Sequence, residues 1–406
     1  MGSKIIVFQV PEFPHISETF ILKQIVFAIK LGYDVKIFVR RELSIDKWLK
    51  SKDLREYRLI DKIKIQDYQI PNSRVFRLLK WVLLLFQHFH QFKGLIKYHT
   101  LKPKFSLTWL YEWKFYQEFG EVNLFHIQYG TNKYPLDELK LCGFGPRLVC
   151  SFHGHDAVFP IHGFIENNGY YRNLFTSAER IVVNSEYLEK LLIDLKCPEE
   201  LISRIPVSVD VNKFKPLEIK VKNKTFHLIT VGRLHHSKGH IYQLEALKKL
   251  LKSGHDFNLK IIGEGPKRQE LEKYIHKNSL NHCVELLGAK SQDEISDLLR
   301  RSDLFLFTSI TLTNGWGETQ GLAVNEAMAS GLPVICFDTG GVKYSFEHSK
   351  SGFLVQEDDI ESLTNYILKL FKSPELLSNM ARDARQYTVE NFSDDAAIGN
   401  WQCIYS

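Results

Sequence analysis

Apolar residues recur along this chain with two different spacings, and the two alternate. KIIVFQV is a compact apolar run that predicts a first strand. SETFILKQIVFAIKLG repeats apolar positions at helical spacing, with Ser17 placed to cap the helix, and YDVKIFVR predicts the second strand. A less regular stretch runs to about Gly120, helical around Val75–Gln91 and Leu107–Phe119. Strands return at NLFHIQY, RLVCSFHG, RIVVNS and RIPVSV. The polar, lysine-rich segment VDVNKFKPLEIKVKNK, which contains Pro216, reads as a linker. Beyond it FHLITVG, NLKIIGEG, VELLGA, LFLFTS, PVICFD and GFLV predict six strands, with helices starting near Gly239, Pro266, Gln292, Gly321 and Ile360. Strand–helix alternation of this kind predicts an α/β chain with parallel sheets, and the second half reads as a doubly wound unit. No short-period repeat or low-complexity tract interrupts it.

At 406 residues the chain is too long for one ordinary core, so two domains are expected. A charged share of 25% fits a soluble globular protein. The net charge of +6 suits anionic substrates or a membrane surface and is too small to argue for nucleic acid. Cys142, Cys150, Cys197, Cys283, Cys336 and Cys403 form no close metal-type pair and read as scattered thiols in a reducing compartment. MGSKIIVFQV carries no charged leader and cleavage site, so no signal peptide is expected. No apolar run reaches membrane-spanning length. The nearest, NSRVFRLLKWVLLLFQHFHQFKGLIKYH, is basic, aromatic and interrupted by Lys80, Gln87 and His88. It suits a helix lying on a bilayer surface and equally a core helix under the amino-terminal sheet.

The densest chemistry lies in GWGETQGLAVNEAMASGLPVI, directly after the strand LFLFTS. Gly317, Glu318, Thr319, Gln320, Gly321 and Leu322 lead into a helix whose first N–H groups and positive dipole end make an anion site, phosphate being the usual occupant. Glu326 lies one turn beyond Leu322, where a carboxylate can accept two hydrogen bonds from the vicinal hydroxyls of a ribose. Upstream, in VGRLHHSKGH, Arg233 ends a strand pattern and Lys238 precedes a helix pattern. Two cations at a strand end in an open α/β sheet suit a diphosphate. No Asp-X-Asp pair beside a strand end suggests a metal, and Asp358–Asp359 reads as a helix cap.

GRLHHSKGH, IIGEGPKRQEL, VELLGAKSQDEISDLLRRSDLFLFTS and GETQGLAVNEAMASGLPVICFDTGG together resemble the retaining glycosyltransferases of family 4. So do PEFPHISETFILKQI, HIQYG, SFHGHDA and IVVNSEYLEK in the first half, so the likeness covers essentially the whole chain. The SETFI run resembles a subset that builds bacterial capsule, exopolysaccharide or O-antigen repeats. The resemblance implies the GT-B fold: two Rossmann-like domains facing across a cleft. It implies an acceptor-side domain over 1–212, a donor domain over 213–388 and a last helix, 389–406, crossing back to the first. It implies a cytoplasmic enzyme that transfers a sugar from a UDP- or GDP-sugar to a saccharide or lipid-linked saccharide, without metal or other cofactor. The basic, aromatic stretch from Arg74 to Lys97 adds the expectation of peripheral attachment at the inner face of the plasma membrane. Arg233, Lys238 and the backbone of Thr319, Gln320, Gly321 and Leu322 would then hold the diphosphate. Glu326 would hold the ribose, while Glu318 and His153 would meet the donor sugar. Ser17, Glu18 and Thr19 are assigned to the acceptor side, although an ordinary helix cap also explains Ser17 and Glu18. Two departures stand out: PEFPHISETF has prolines where many members have a glycine pair, and GGVKYSF has Lys343–Tyr344 where Pro-Glu is common. A sugar phosphorylase, a nucleotide-sugar epimerase and a non-catalytic binding scaffold remain the alternatives.

Overall fold

The computed structural model describes residues 4–14, 18–42, 52–102, 106–158, 169–218, 225–252, 254–313 and 315–406. Contacts divide the chain into two units. One comprises Met1–Asn184, Leu188–Ile205 and Asn400–Ser406; the other comprises Ser185–Tyr187 and Pro206–Gly399.

The first unit is built on seven strands: β1 (Ile5–Phe13), β2 (Asp34–Glu42), β3 (Ile63–Ile65), β4 (Leu124–Gln128), β5 (Arg147–Ser151), β6 (Arg180–Val183) and β7 (Ile202–Arg204). Their order is β3-β2-β1-β4-β5-β6-β7, and every pairing is parallel. β1 is longer than its apolar run suggests. Beyond Gln9 it has lost β4 and pairs only with β2, through Glu12 to Arg41 and Phe13 to Glu42. On that one-sided stretch Pro11, which has no N–H, costs no ladder bond. The RIPVSV strand is shorter than expected. It stops at Arg204, because Pro206 cannot donate to a ladder, and Val209 instead bridges to Ser393.

The second unit holds β8 (Phe226–Val231), β9 (Phe257–Ile262), β10 (Val284–Gly288), β11 (Leu304–Phe307), β12 (Val334–Phe337) and β13 (Gly352–Val355). The order β10-β9-β8-β11-β12-β13 is again all parallel. Alternate residues of these strands feed two cores. Leu228, Leu306, Ile335 and Phe337 pack on one face with Leu244, Leu247 and Leu363, whereas Ile229, Phe305, Val334 and Cys336 pack on the other with Leu299, Val324 and Met328. A parallel sheet covered on both faces needs this continuous apolar strand composition. Helices start at His240, Arg268, Gln292, Leu322 and Ile360, followed by Pro374–Phe392 and Asp394–Tyr405. Asp359 caps its helix by accepting from Ser362 N at 2.9 Å.

The basic, aromatic stretch of the first unit forms the helices Arg74–Gln87 and Phe92–Thr100. Its apolar side faces solvent rather than the sheet. Among the described residues no helix is long and apolar enough to cross a membrane.

Candidate active site

In both sheets the strand order reverses beside the first strand of the unit, at β1/β4 and at β8/β11. Loops leaving the carboxyl ends of these strands diverge there and leave a crevice, which is where open α/β sheets bind ligands. The candidate residues gather at these two points.

In the second unit β8 leads into Arg233 and a short turn, His236–Lys238. Gly239 follows with φ 58°, and a Cβ there would sit 2.0 Å from Thr308 O, just past β11. Only glycine lets the two loops approach so closely. Thr308 Oγ1 donates to Gly239 O at 2.9 Å and accepts from Gln243 Nε2 at 2.9 Å, which locks the turn that carries Lys238. His240 is buried behind it, and burial, with Lys238 nearby, pushes its pKa down to about 4.

The loop after β11 returns to the same place. Lys238 Nζ forms a short ion pair with Glu318 Oε2, joining residues 80 positions apart in sequence. Their side chains are 17% and 20% exposed, so the pair is sheltered yet reachable. Lys238 Nζ also stands 5.5 Å from the centre of the Phe307 ring. Arg233 is exposed, with no ion-pair partner among the described residues. Gly340 and Gly341, after β12, press against the backbone that carries Glu318. Gly341 N donates to Glu318 O at 2.6 Å, and a Cβ on Gly341 would lie 1.9 Å from Thr319 O.

Gly321, with φ 85°, is the N-cap of the helix Leu322–Ala329, and no side chain caps the helix. Thr319 and Leu322 are half-buried, and Glu326, one turn beyond Leu322, is buried. Gln320 has other work for its side chain. Its Oε1 accepts from Val207 N at 2.8 Å and its Nε2 donates to Val207 O at 2.9 Å and Asn325 Oδ1 at 3.1 Å. Its amide is satisfied by protein, so Gln320 fastens the helix approach to the segment at Val207 and has only its backbone to offer a ligand.

In the first unit His153 follows β5, Tyr129 follows β4, and Glu18 opens the helix Thr19–Lys30 after β1. Tyr129 Oη donates to Glu18 Oε1 at 2.7 Å, and the His153 ring packs 4.8 Å from Tyr129 and 4.5 Å from Phe20. Burial, with Glu18 adding to it, raises the Tyr129 pKa and keeps the phenol protonated. Gln128 Oε1 accepts from His153 Nε2 at 2.9 Å, while Gln128 Nε2 donates to Gln24 Oε1 at 2.8 Å. That amide orientation puts the His153 proton on Nε2 and leaves Nδ1 as the acceptor. Burial pushes the His153 pKa down to about 3, so the ring is neutral. Asp156 is structural: buried, it accepts from the N–H groups of Gly130 at 2.8 Å and of His153 and Gly154 at 2.9 Å. His155 is exposed. A pocket of about 320 Å³ beside Glu18 is lined by Pro11, Glu12, Glu18, Arg40 and Arg41. Thr19 is the first helical residue and makes no cap bond, and Ser17 lies outside the described residues. Tyr129 and Gln128 escaped the sequence reading. The signal was their place at a strand end before a glycine, in HIQYG.

Residues 29–213 match the model of "Glycosyltransferase Family 4" and residues 212–387 that of "Glycosyl transferases group 1". The amylovoran biosynthesis glycosyltransferase AmsK of Erwinia amylovora is 30% identical over 370 residues, 88% of each chain. This chain is a family 4 glycosyltransferase. A UDP-galactose:α-D-GlcNAc-diphosphoundecaprenol α-1,3-galactosyltransferase of Escherichia coli is 29% identical over 224 residues, 52% of this chain and 56% of its own. Among solved structures, HepE of Anabaena in complex with UDP superposes with a TM-score of 0.72 at 18% identity, covering 99% of this chain and 98% of that one. The fold of this glycosyltransferase is therefore GT-B, two Rossmann-like units in one chain.

Proposed function

We propose that this glycosyltransferase is a retaining, metal-independent enzyme. It moves a sugar from a UDP- or GDP-sugar to a saccharide or lipid-linked saccharide, in the synthesis of a cell-surface polysaccharide at the cytoplasmic face of a membrane. The observation that carries this is the Lys238–Glu318 pair at the β8/β11 switch point, beside the open helix end at Gly321. It brings a cation for phosphate and a carboxylate for sugar hydroxyls to one spot. The names of relatives that act in amylovoran biosynthesis and on a diphosphoundecaprenol-linked sugar support the acceptor class.

Cleavage of the anomeric C–O bond leaves negative charge on the diphosphate. Arg233, Lys238 and the N–H groups of Thr319–Leu322 stabilise that charge, which is the main electrostatic task of the reaction and needs no metal once these groups are in place. Glu326 holds the ribose hydroxyls. Glu318 turns from Lys238 to the hydroxyls of the donor sugar. His153, neutral and with Nδ1 as acceptor, takes a hydrogen bond from a sugar hydroxyl. The acceptor hydroxyl attacks on the face the diphosphate leaves, and the departing phosphate oxygen takes its proton. The pocket at Glu12, Glu18, Arg40 and Arg41, with donors and acceptors in balance, suits the hydroxyls of a saccharide.

The test is incubation of each nucleotide sugar with a chelator and a panel of saccharide and lipid-linked acceptors, with products read by NMR. Release of nucleoside diphosphate and an axial or equatorial linkage matching that of the donor is expected. Inverted linkage, release of inorganic phosphate, or activity that returns only with added magnesium or manganese would refute the corresponding part.

A further inference from the structure

Ten of the fifteen exposed large apolar side chains among the described residues lie between Val75 and Ile96. On the helix Arg74–Gln87 they fall at Val75, Phe76, Leu78, Leu79, Val82, Leu83 and Phe86, spacings of one, three and four that form a single broad stripe. Phe76 and Phe86 are 68% and 75% exposed. The stripe continues through Phe89, Phe92 and Ile96. The other side of the helix is fastened to the unit: Tyr111 Oη donates to Arg77 O at 2.7 Å, Trp81 packs 6.1 Å from Trp109, and Leu84 is buried. The helix is therefore held with its apolar side outward, the reverse of a surface helix that covers a core.

The charge around this stripe is one-sided. Between residues 68 and 111 there is no Asp or Glu, while Arg74, Arg77, Lys80, Lys93 and Lys97 lie in the stretch that carries the stripe, in a chain that elsewhere balances 47 acids against the remaining 48 of its 53 bases. Lys102, in the same interval, has its side chain sheltered and pairs with Glu138 and Glu112. Arg74, Lys93 and Lys97 are exposed beside the stripe.

We propose that this face docks the enzyme on an anionic lipid bilayer. The stripe enters the boundary between headgroups and acyl chains, and the flanking cations meet headgroup phosphates. A second copy of the chain fits less well, because a two-fold contact through this face would set its uncompensated cations against themselves. The face does not depend on the donor chemistry. The proposal rests on the glycosyltransferase reading only for its purpose, bringing the enzyme to a lipid-linked acceptor.

The experiment is co-sedimentation of the full chain with vesicles of phosphatidylcholine alone and of phosphatidylcholine mixed with phosphatidylglycerol, at low and high salt. Binding to the mixed vesicles that weakens with salt is expected. The double variant Phe76→Ser/Phe86→Ser should cut partitioning roughly tenfold or more. Arg74→Gln/Lys93→Gln/Lys97→Gln should cut it by about a hundredfold on anionic vesicles. Both variants replace exposed residues, so unchanged melting and unchanged nucleotide binding should accompany the loss. No partitioning to either vesicle would overturn the proposal, as would partitioning that neither variant reduces. A dimer in solution that Phe76→Ser/Phe86→Ser dissolves would assign the face to a second copy instead. Transfer to a soluble acceptor, measured alongside, reports on the proposed enzyme function separately.

Discussion

Lys238 meets Glu318 in the chain without ligand, so a nucleoside diphosphate must compete with a carboxylate for its cation. Glu318→Gln keeps the size of the side chain and removes the competing charge. A charge-assisted hydrogen bond contributes about 1.5–3 kcal/mol. With side chains 17% and 20% exposed, solvent screening brings this pair below that range, to about 1 kcal/mol. Removing the competitor should therefore tighten binding of the bare diphosphate by about fivefold. Lys238→Ala should act in the opposite direction and weaken binding by about 10- to 150-fold, because it removes the phosphate partner and leaves Glu318 facing the anion. In the double variant part of that loss should return, and the cycle gives the coupling directly. Transfer should fall in Glu318→Gln despite tighter nucleotide binding, since the sugar has lost its carboxylate. Calorimetry with UDP and GDP and initial rates with the full donor measure both. Weaker diphosphate binding in Glu318→Gln, comparable to that in Lys238→Ala, would show that the pair supports the phosphate site instead of competing with it.

Gln320→Ala should destabilise the fold by about 1–2 kcal/mol in urea unfolding, because both backbone groups of Val207 lose their partner, while nucleotide affinity stays within about twofold. A collapse of nucleotide binding without loss of stability would return the Gln320 side chain to the ligand. Acid should weaken both units. His126, buried and close to His153, has its pKa lowered to about 3, and buried His240 to about 4, each from 6.5. The unfolded chain thus binds more protons below pH 6.5, and the stability these residues give is complete above that value. It is lost as pH falls, by about 1.4 kcal/mol per pH unit for each histidine. Urea midpoints between pH 7 and 5 check this; a flat profile would mean that both rings titrate normally in the fold. Gln128→Leu should lower turnover with little change in nucleotide affinity and should shift the His153 proton between ring nitrogens, visible in ¹⁵N NMR. An unchanged tautomer would show that Gln128 does not set it.

The sheet of the second unit was legible because its strands are buried on both faces and read as unbroken apolar runs, each ended by glycine or a polar turn. The helix start at Ile360 was marked by its cap, Asp359. The site was legible as parts. Glycine spacing and strand ends placed Arg233, Lys238 and Glu318 at loop tips and Glu326 on the helix that follows, yet nothing local says that a lysine meets a carboxylate 80 residues away. Gln320 misled for the same reason: its neighbours in ETQG line the candidate site, while its own side chain turns to Val207. Periodicity from Val75 to Phe86 showed that one side of a helix is apolar but not which way it points. That direction is set by Tyr111 and Trp109, on another helix.

The most direct measurement is the melting temperature of the wild type and of Arg233→Ala/Lys238→Ala with UDP, GDP and their sugars. At a hundredfold excess over Kd a ligand stabilises the fold by about 2.7 kcal/mol, roughly 5–10 °C for a unit of this size. One nucleotide family should give that shift with the wild type, and the double variant should give little or none at the same concentration. No shift with any nucleotide at millimolar concentration, or an equal shift in the double variant, would contradict a diphosphate held by Arg233 and Lys238.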